Sequence, residues 1–275
     1  MPIVSLSQGN GAINTYALLD QMVTVLGTTN MTLIPLDGGG SSSATLNGTL
    51  PYGAGALAAA YGIRNDAGAV AVNAARPQEH NGIWSIGNVT TIKITCSADN
   101  AGHTFGNGTV DVPFSCGAWI YVGEALGTAR SIVAKYDSVG VAREYDFRFG
   151  TDGKLVMELY DEDSDTSEIA TSAGTALTPF IWQFCVATYD GTEATPAINL
   201  YINGASVHDG TSVETGAYVS MDDSAIPVTF GARGPAATAA QSLQGRLALP
   251  FVTGKALTAA NVTTLYGIGR TLLGL

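Results

Sequence analysis

Phe114-Ser115-Cys116-Gly117-Ala118-Trp119-Ile120-Tyr121-Val122 decides the fold. Phe114, Cys116, Ala118 and Ile120 alternate with Ser115, Gly117, Trp119 and Tyr121, the two-residue period of a strand in a layered sheet. Downstream, Arg143–Phe149 sets Tyr145, Phe147 and Phe149 against Glu144, Asp146 and Arg148, which suits an antiparallel strand with one wet side. Thr151-Asp152-Gly153 turns the chain into Leu155–Tyr160, and Phe180–Tyr189 reads as a long strand centred on Trp182, Phe184 and Val186. Asn203-Gly204 is a strong hairpin signal, because a type I′ turn needs positive φ at both central residues. Leu243–Val252 reads as a closing strand. Short strands separated by turns predict an all-β, two-sheet antiparallel sandwich.

Upstream of this region the pattern changes. Ile13, Tyr16, Ala17, Leu19, Val23 and Leu26 recur at helical spacing, with Asn14 or Thr15 to cap the start and Gly27 to stop it. Residues 1–35 therefore read as an N-terminal arm with a short helix. Residues 36–90 carry Gly38–Ser43 (G-G-G-S-S-S) and an Ala-rich stretch, and read as an opening strand at Leu33–Asp37 with long Gly/Ala-rich loops of the sandwich. Residues 91–275 read as the sandwich core, beginning with a strand at Thr90–Cys96 and ending in a short helix capped by Thr258 and bearing Val262, Leu265 and Tyr266.

The 275 residues suffice for a large core. Only 13% are charged, against about 25% in an average domain. The formal net charge of −11 argues against nucleic acid and against anionic membranes as partners. Met1–Asn10 lacks the charged and apolar regions of a signal peptide, so a product made and kept in a cytoplasm is expected. Cys96, Cys116 and Cys185 have no motif spacing and read as buried thiols.

Five ordered motifs resemble the laminin-G-like branch of the concanavalin A-type jelly roll. They are Phe114–Ile120, Ile132-Val133-Ala134-Lys135-Tyr136-Asp137, Trp182–Gly191, Leu200-Tyr201-Ile202-Asn203-Gly204 and Gly245–Thr258. The resemblance implies structural-core positions for Phe114, Trp119, Trp182, Tyr189, Asp190, Gly191, Asn203 and Gly204. It departs from the family in the closing strand, where Ala248 and Leu249 replace an acidic pair. An apolar strand there implies packing against the N-terminal segment or another subunit. The loop Asp99–Asp111 is similar to forms found in phage versions of the domain.

No catalytic constellation emerges. Asp161-Glu162-Asp163-Ser164-Asp165 has acids at first, third and fifth positions, but Thr166 and Ser172 stand where an EF-hand needs Gly and Glu. A solvated hairpin tip is one reading; a calcium site on Asp161, Asp163 and Asp165, as some relatives carry at the sandwich rim, is the other. Glucanases of this fold alternate acids along one strand, and Tyr160 occupies the acidic slot after Glu158. Two-carboxylate hydrolysis needs the separation of residues two apart, about 6.5 Å, not four apart, about 13 Å. His80, His103 and His208 share no ligand spacing. Candidate ligand contacts are Asp99, Asn100, His103, Tyr121 and Tyr201, with Tyr218 a further stacking residue. Low charge, the missing signal peptide, the phage-like loop and the apolar tail Thr271–Leu275 lead to an expected non-enzymatic virion protein. It would be a capsid-decoration or tail-associated subunit whose partners are other virion proteins and copies of itself. The alternative is a carbohydrate-binding lectin for a cell-surface glycan. No cofactor is expected in either case, calcium excepted.

Overall fold

The computed structural model describes residues 15–27, 30–33, 45–46, 70–73, 84–86, 93–96, 103–137, 142–192, 197–234 and 241–275. Helix α1 (Thr15–Leu26) precedes the strands β1 (Thr32–Leu33), β2 (Thr45–Leu46), β3 (Val70–Asn73), β4 (Trp84–Ile86) and β5 (Lys93–Cys96). The long strands follow: β6 (Phe114–Val122), β7 (Arg130–Asp137), β8 (Ala142–Phe149), β9 (Lys154–Asp161), β10 (Thr166–Ala176) and β11 (Trp182–Tyr189). The chain closes with β12 (Ile198–Ile202), β13 (Ala205–Ser206), β14 (His208–Thr215), β15 (Thr229–Phe230), β16 (Gly245–Thr253) and helix α2 (Ala259–Leu273). Among the described residues these make two antiparallel sheets, β1-β16-β6-β11-β12-β13 with β4 beside β16, and β14-β10-β9-β8-β7-β15-β5-β3-β2. The architecture is the jelly-roll sandwich expected from the strand pattern.

Alternation builds the interior. Phe114, Cys116, Ala118, Ile120 and Val122 of β6 meet Tyr145, Phe147 and Phe149 of β8 and Leu155, Met157 and Leu159 of β9 in one core between the sheets. Each such large side chain contributes roughly 1.5–3 kcal/mol on burial. Phe105 stacks on Phe114 at 4.4 Å and closes one end. The Asn203-Gly204 turn has φ of 53° and 82°, as the hairpin reading requires, and Asn203 Oδ1 accepts from Phe184 N at 2.9 Å. Asn203, Gly204 and Gly191 are turn residues of intermediate burial and Asp190 is exposed, so these four shape turns and do not fill a core.

The opposite face of the β6 sheet is roofed by both helices. Met22, Val23 and Leu26 of α1 and Val262, Leu265 and Ile268 of α2 pack on Trp119, Phe184, Val186, Tyr201 and Phe251. Trp119 is therefore buried under the roof, outside the inter-sheet core; Trp182 lies on the same face and is only partly buried. A bulge between Ala248 and Phe251, with Leu249 at φ 49°, turns Ala248, Leu249 and Phe251 toward the roof. This is why the closing strand is apolar, and its partner is the chain's own N-terminal helix. Lys255 Nζ donates to Val25 O at 2.7 Å, placing a cation on the terminal carbonyls of α1.

Helix α2 is longer than the short helix the sequence suggests. Thr258 and Asn261 form a reciprocal capping box, and Gly274 ends the helix in the left-handed region at φ 68°. The apolar tail is thereby folded back, with Leu272, Leu273 and Leu275 against the roof cluster. No described helix is long and apolar enough to cross a membrane.

Candidate functional site

The outer face of the β8–β9 sheet carries the richest array of polar groups. Asp146 on β8 stands directly opposite Glu158 on β9. Two carboxylates so placed repel unless cations intervene. Arg148 Nη1 lies 3.2 Å from Asp146 Oδ2 and 2.5 Å from Glu158 Oε2. Arg233, from the loop after β15, brings Nε to 3.0 Å from Asp146 Oδ2, an ion pair without hydrogen-bond alignment. Ser131 donates to the other oxygen of Asp146 at 2.6 Å. The Arg233 guanidinium lies 3.8 Å from the centroid of Tyr136 and donates to Tyr160 Oη at 3.1 Å. Tyr136 and Tyr160 meet edge to face at 5.2 Å. Arg143 sits 5.0 Å over the Tyr160 ring and binds Glu162 through Nε at 2.5 Å and Nη2 at 3.0 Å.

The face is charge-compensated. Asp146 is fully buried while the Arg143, Arg148 and Arg233 side chains keep 21%, 19% and 22% exposure, so the arginines are the accessible part of the network. Burial beside Glu158 pushes the Tyr160 phenol up, keeping it a hydrogen-bond donor. Arg148 and Arg143 are also raised, Arg148 despite its burial through Asp146 and Glu158, Arg143 chiefly by Glu162.

Glu144, expected on the wet face, is instead fully buried at a β-bulge. Its Oε1 accepts from Lys135 Nζ, from Ser224 N at 2.8 Å and from Ser224 Oγ at 2.7 Å, and its Oε2 is buried with no partner among the described residues. Burial pushes this carboxyl up to about 7, the Lys135 and Ser224 bonds acting in the opposite direction. Between the ordinary glutamate value of 4.5 and about 7 the folded chain holds a proton that the unfolded chain has released. Its stabilising contribution is therefore fully present below 4.5 and lost as pH rises through about 7. Buried Asp111 and Glu168 are raised by burial and act in the same direction. Urea unfolding should give higher stability at pH 5 than at pH 8, by on the order of 2 kcal/mol, and Glu144→Gln should flatten that slope. An unchanged slope in Glu144→Gln would show that this group is not its source.

Within the acidic tip between β9 and β10, the Asp161 and Asp165 carboxylates are bonded to the chain itself, and the Asp163 side chain is exposed. Asp161 is buried and its Oδ1 accepts from Ser164 N at 3.0 Å; Asp165 binds Arg143 at 2.6 Å; the Asp163 backbone N donates to Asp222 Oδ2 at 2.9 Å. No group of three ligating side chains poised for a metal ion occurs among the described residues.

Of the expected ligand residues, Asp99 and Asn100 lie outside the described residues, as does His80. His103 is fully buried: its Nε2 is 2.8 Å from Thr32 Oγ1, tying β1 to the core, so it is unavailable to a ligand. Tyr201 is 5% exposed beneath the helical roof and is equally withdrawn. Tyr218 donates to buried Asp111 at 2.5 Å. Tyr121 is partly exposed and remains available. Cys116 and Cys185 are buried free thiols whose ionisation burial pushes up, which makes them inert; the Cys96 side chain lies outside the described ones.

Residues 97–263, more than half of the chain, match the family described as the concanavalin A-like lectin/glucanases superfamily. The chain belongs to that family. No curated protein matches it. Among solved structures it is similar to the Trypanosoma rangeli sialidase in complex with sialic acid (TM-score 0.56, 9% identity, 94% of this chain and 38% of that one). It is also similar to the binding domain of Paraclostridial Mosquitocidal Protein 1 (TM-score 0.46, 16% identity, 86% of this chain and 47% of that one). A third is domain 4 of an extracellular arabinanase from Geobacillus stearothermophilus in complex with arabinotriose (TM-score 0.44, 16% identity, 86% of each chain). The chain spans less than half the length of the first two. At these identities the likeness is one of fold.

Proposed function

We propose that this protein is a non-catalytic carbohydrate-binding module that holds a sugar against the outer face of the β8–β9 sheet. The observation that carries the reading is the set of three partly exposed arginines tied down by carboxylates, Arg233 over Tyr136, Arg143 over Tyr160, and Arg148 between Asp146 and Glu158. Sugar hydroxyls need donors and acceptors in a fixed arrangement, and a network ordered beforehand loses little entropy on binding. Because the carboxylates compensate the arginines, the face suits neutral sugars over anionic ones. Membership of a lectin and glucanase superfamily supports a carbohydrate ligand. Asp146 and Glu158 are each tied to guanidinium groups, which supports binding in place of hydrolysis.

The virion expectation rests on low charge, the missing signal peptide, a phage-like loop and apolar segments. The two features that suggested burial in an assembly, the apolar closing strand and the apolar tail, find their partners within the chain. Isothermal titration of neutral oligosaccharides (arabinotriose, xylohexaose, cellohexaose), with sialyllactose as the anionic arm, tests the reading. Arg233→Gln should weaken binding on this face about tenfold. Equal affinity in the variant, or no binding by any sugar at millimolar concentration, would rule this face out.

A further inference from the structure

A second row of side chains crosses the other sheet at the edge of the helical roof. Arg246 on β16, Tyr121 on β6 and Trp182 on β11 are direct cross-strand neighbours. They share the outer face with Trp119 and Phe184 but lie two residues further along their strands. The Tyr121 and Trp182 rings are 5.9 Å apart, and the Arg246 guanidinium is 5.4 Å from the Tyr121 centroid. Tyr121 and Trp182 are partly exposed and Arg246 is exposed, whereas the roofed residues of this face are buried.

The chain leads into this row through a costly conformation. Phe180 has φ 65°, in the left-handed region, and is held by its N–H to Val122 O at 2.8 Å. A bulky residue there carries strain of about 1–3 kcal/mol. Phe180 and Ile181 do not recover that cost by burial, being 56% and 48% exposed. Strain kept at an exposed aromatic two residues before Trp182 in the chain is consistent with a recognition surface.

We propose that Arg246, Tyr121 and Trp182, flanked by Phe180, form a stacking subsite for a neutral pyranose ring. The two rings are inclined at 58°, so a flat face of C–H groups suits the Trp182 indole with Tyr121 as a side wall, and a rim of hydroxyls suits the exposed Arg246 at one end. An all-apolar partner would leave Arg246 unanswered, and the net charge of −11 disfavours an anionic sugar. The subsite shares with the preceding reading only the premise of a carbohydrate ligand, since its residues stand on the other sheet. A chain with both sites would hold two sugars per molecule.

Titration with xylohexaose and cellohexaose, read by calorimetric stoichiometry and by tryptophan fluorescence, tests it. Of the three tryptophans, Trp119 is buried and Trp84 is retained in the variant, so a sugar-dependent change that vanishes in Trp182→Ala reports this row. Trp182→Ala should weaken this event at least tenfold and lower the stoichiometry by one; Trp182→Phe, which keeps a ring and controls for folding, should retain most of it. Loss of all binding in Arg233→Gln with Trp182→Ala unaffected would overturn this subsite and leave the polar face standing. Loss in Trp182→Ala with Arg233→Gln unaffected would support this subsite and remove the polar face. No binding of either sugar at millimolar concentration would overturn both.

Discussion

Replacing Asp111 by Ala should destabilise the fold by roughly 3–5 kcal/mol, the cost of breaking a buried charged network. Asp111 is 3% exposed and accepts four hydrogen bonds: from Tyr189 Oη at 2.8 Å, Tyr218 Oη at 2.5 Å, Ser220 Oγ at 3.0 Å and Met221 N at 2.9 Å. These donors come from β11 and from the segment before β15, so one carboxylate joins two parts of the chain far apart in sequence. Truncation strands the donors, each unsatisfied buried group costing about 1–3 kcal/mol, and relaxation recovers part of the sum. Asn offers one acceptor oxygen and turns an NH2 toward remaining donors, so Asp111→Asn should fall between wild type and Ala. Urea midpoints measure the series. A loss below about 1 kcal/mol for Ala would show that water replaces the carboxylate at little cost.

How much of this was legible in sequence depends on how far each feature reaches. The sandwich was legible, because strand alternation at Phe114–Val122 and the Asn203-Gly204 turn are local signals. Helix α1 was legible from its spacing. The polar face was half legible: Arg143–Phe149 shows Asp146 and Arg148 on one side, but nothing near them in sequence announces Arg233. That residue arrives from the loop after β15, and only folding lays it on Tyr136. Glu144 was misplaced because a bulge, invisible in a two-residue period, rotates it inward. His103 looked like a loop ligand among turn formers, but Thr32 of the N-terminal arm covers it. Tyr201 misled for a related reason, since the helices that bury it come from both ends of the chain. Trp182 was assigned to the core by resemblance, although it packs at the edge of the roofed cluster and stays partly exposed.

The contact between α2 and Trp119 sets the second large effect. A Cβ at Gly269 would lie 2.1 Å from Trp119 Nε1 and 2.9 Å from Cε2, so the helix backbone rests directly on the indole. Trp119 cannot step aside: it lies between Phe184, 5.4 Å away, and Tyr266, stacked at 5.5 Å. Gly269→Val should therefore lift α2 and cost about 3 kcal/mol, at the upper end for overpacking. It should also expose the roof cluster, read as increased binding of a hydrophobic dye. Gly267, two residues earlier, has no atom within 4 Å of such a Cβ and no positive φ. Gly267→Ala should instead stabilise the same helix by about 0.5–1 kcal/mol, since Ala holds helical backbone better than Gly. Opposite signs from two glycines in one helix separate a packing requirement from a propensity effect. If Gly269→Val were tolerated as well as Gly267→Ala, the helix would not be docked on Trp119, and the roof would need another explanation.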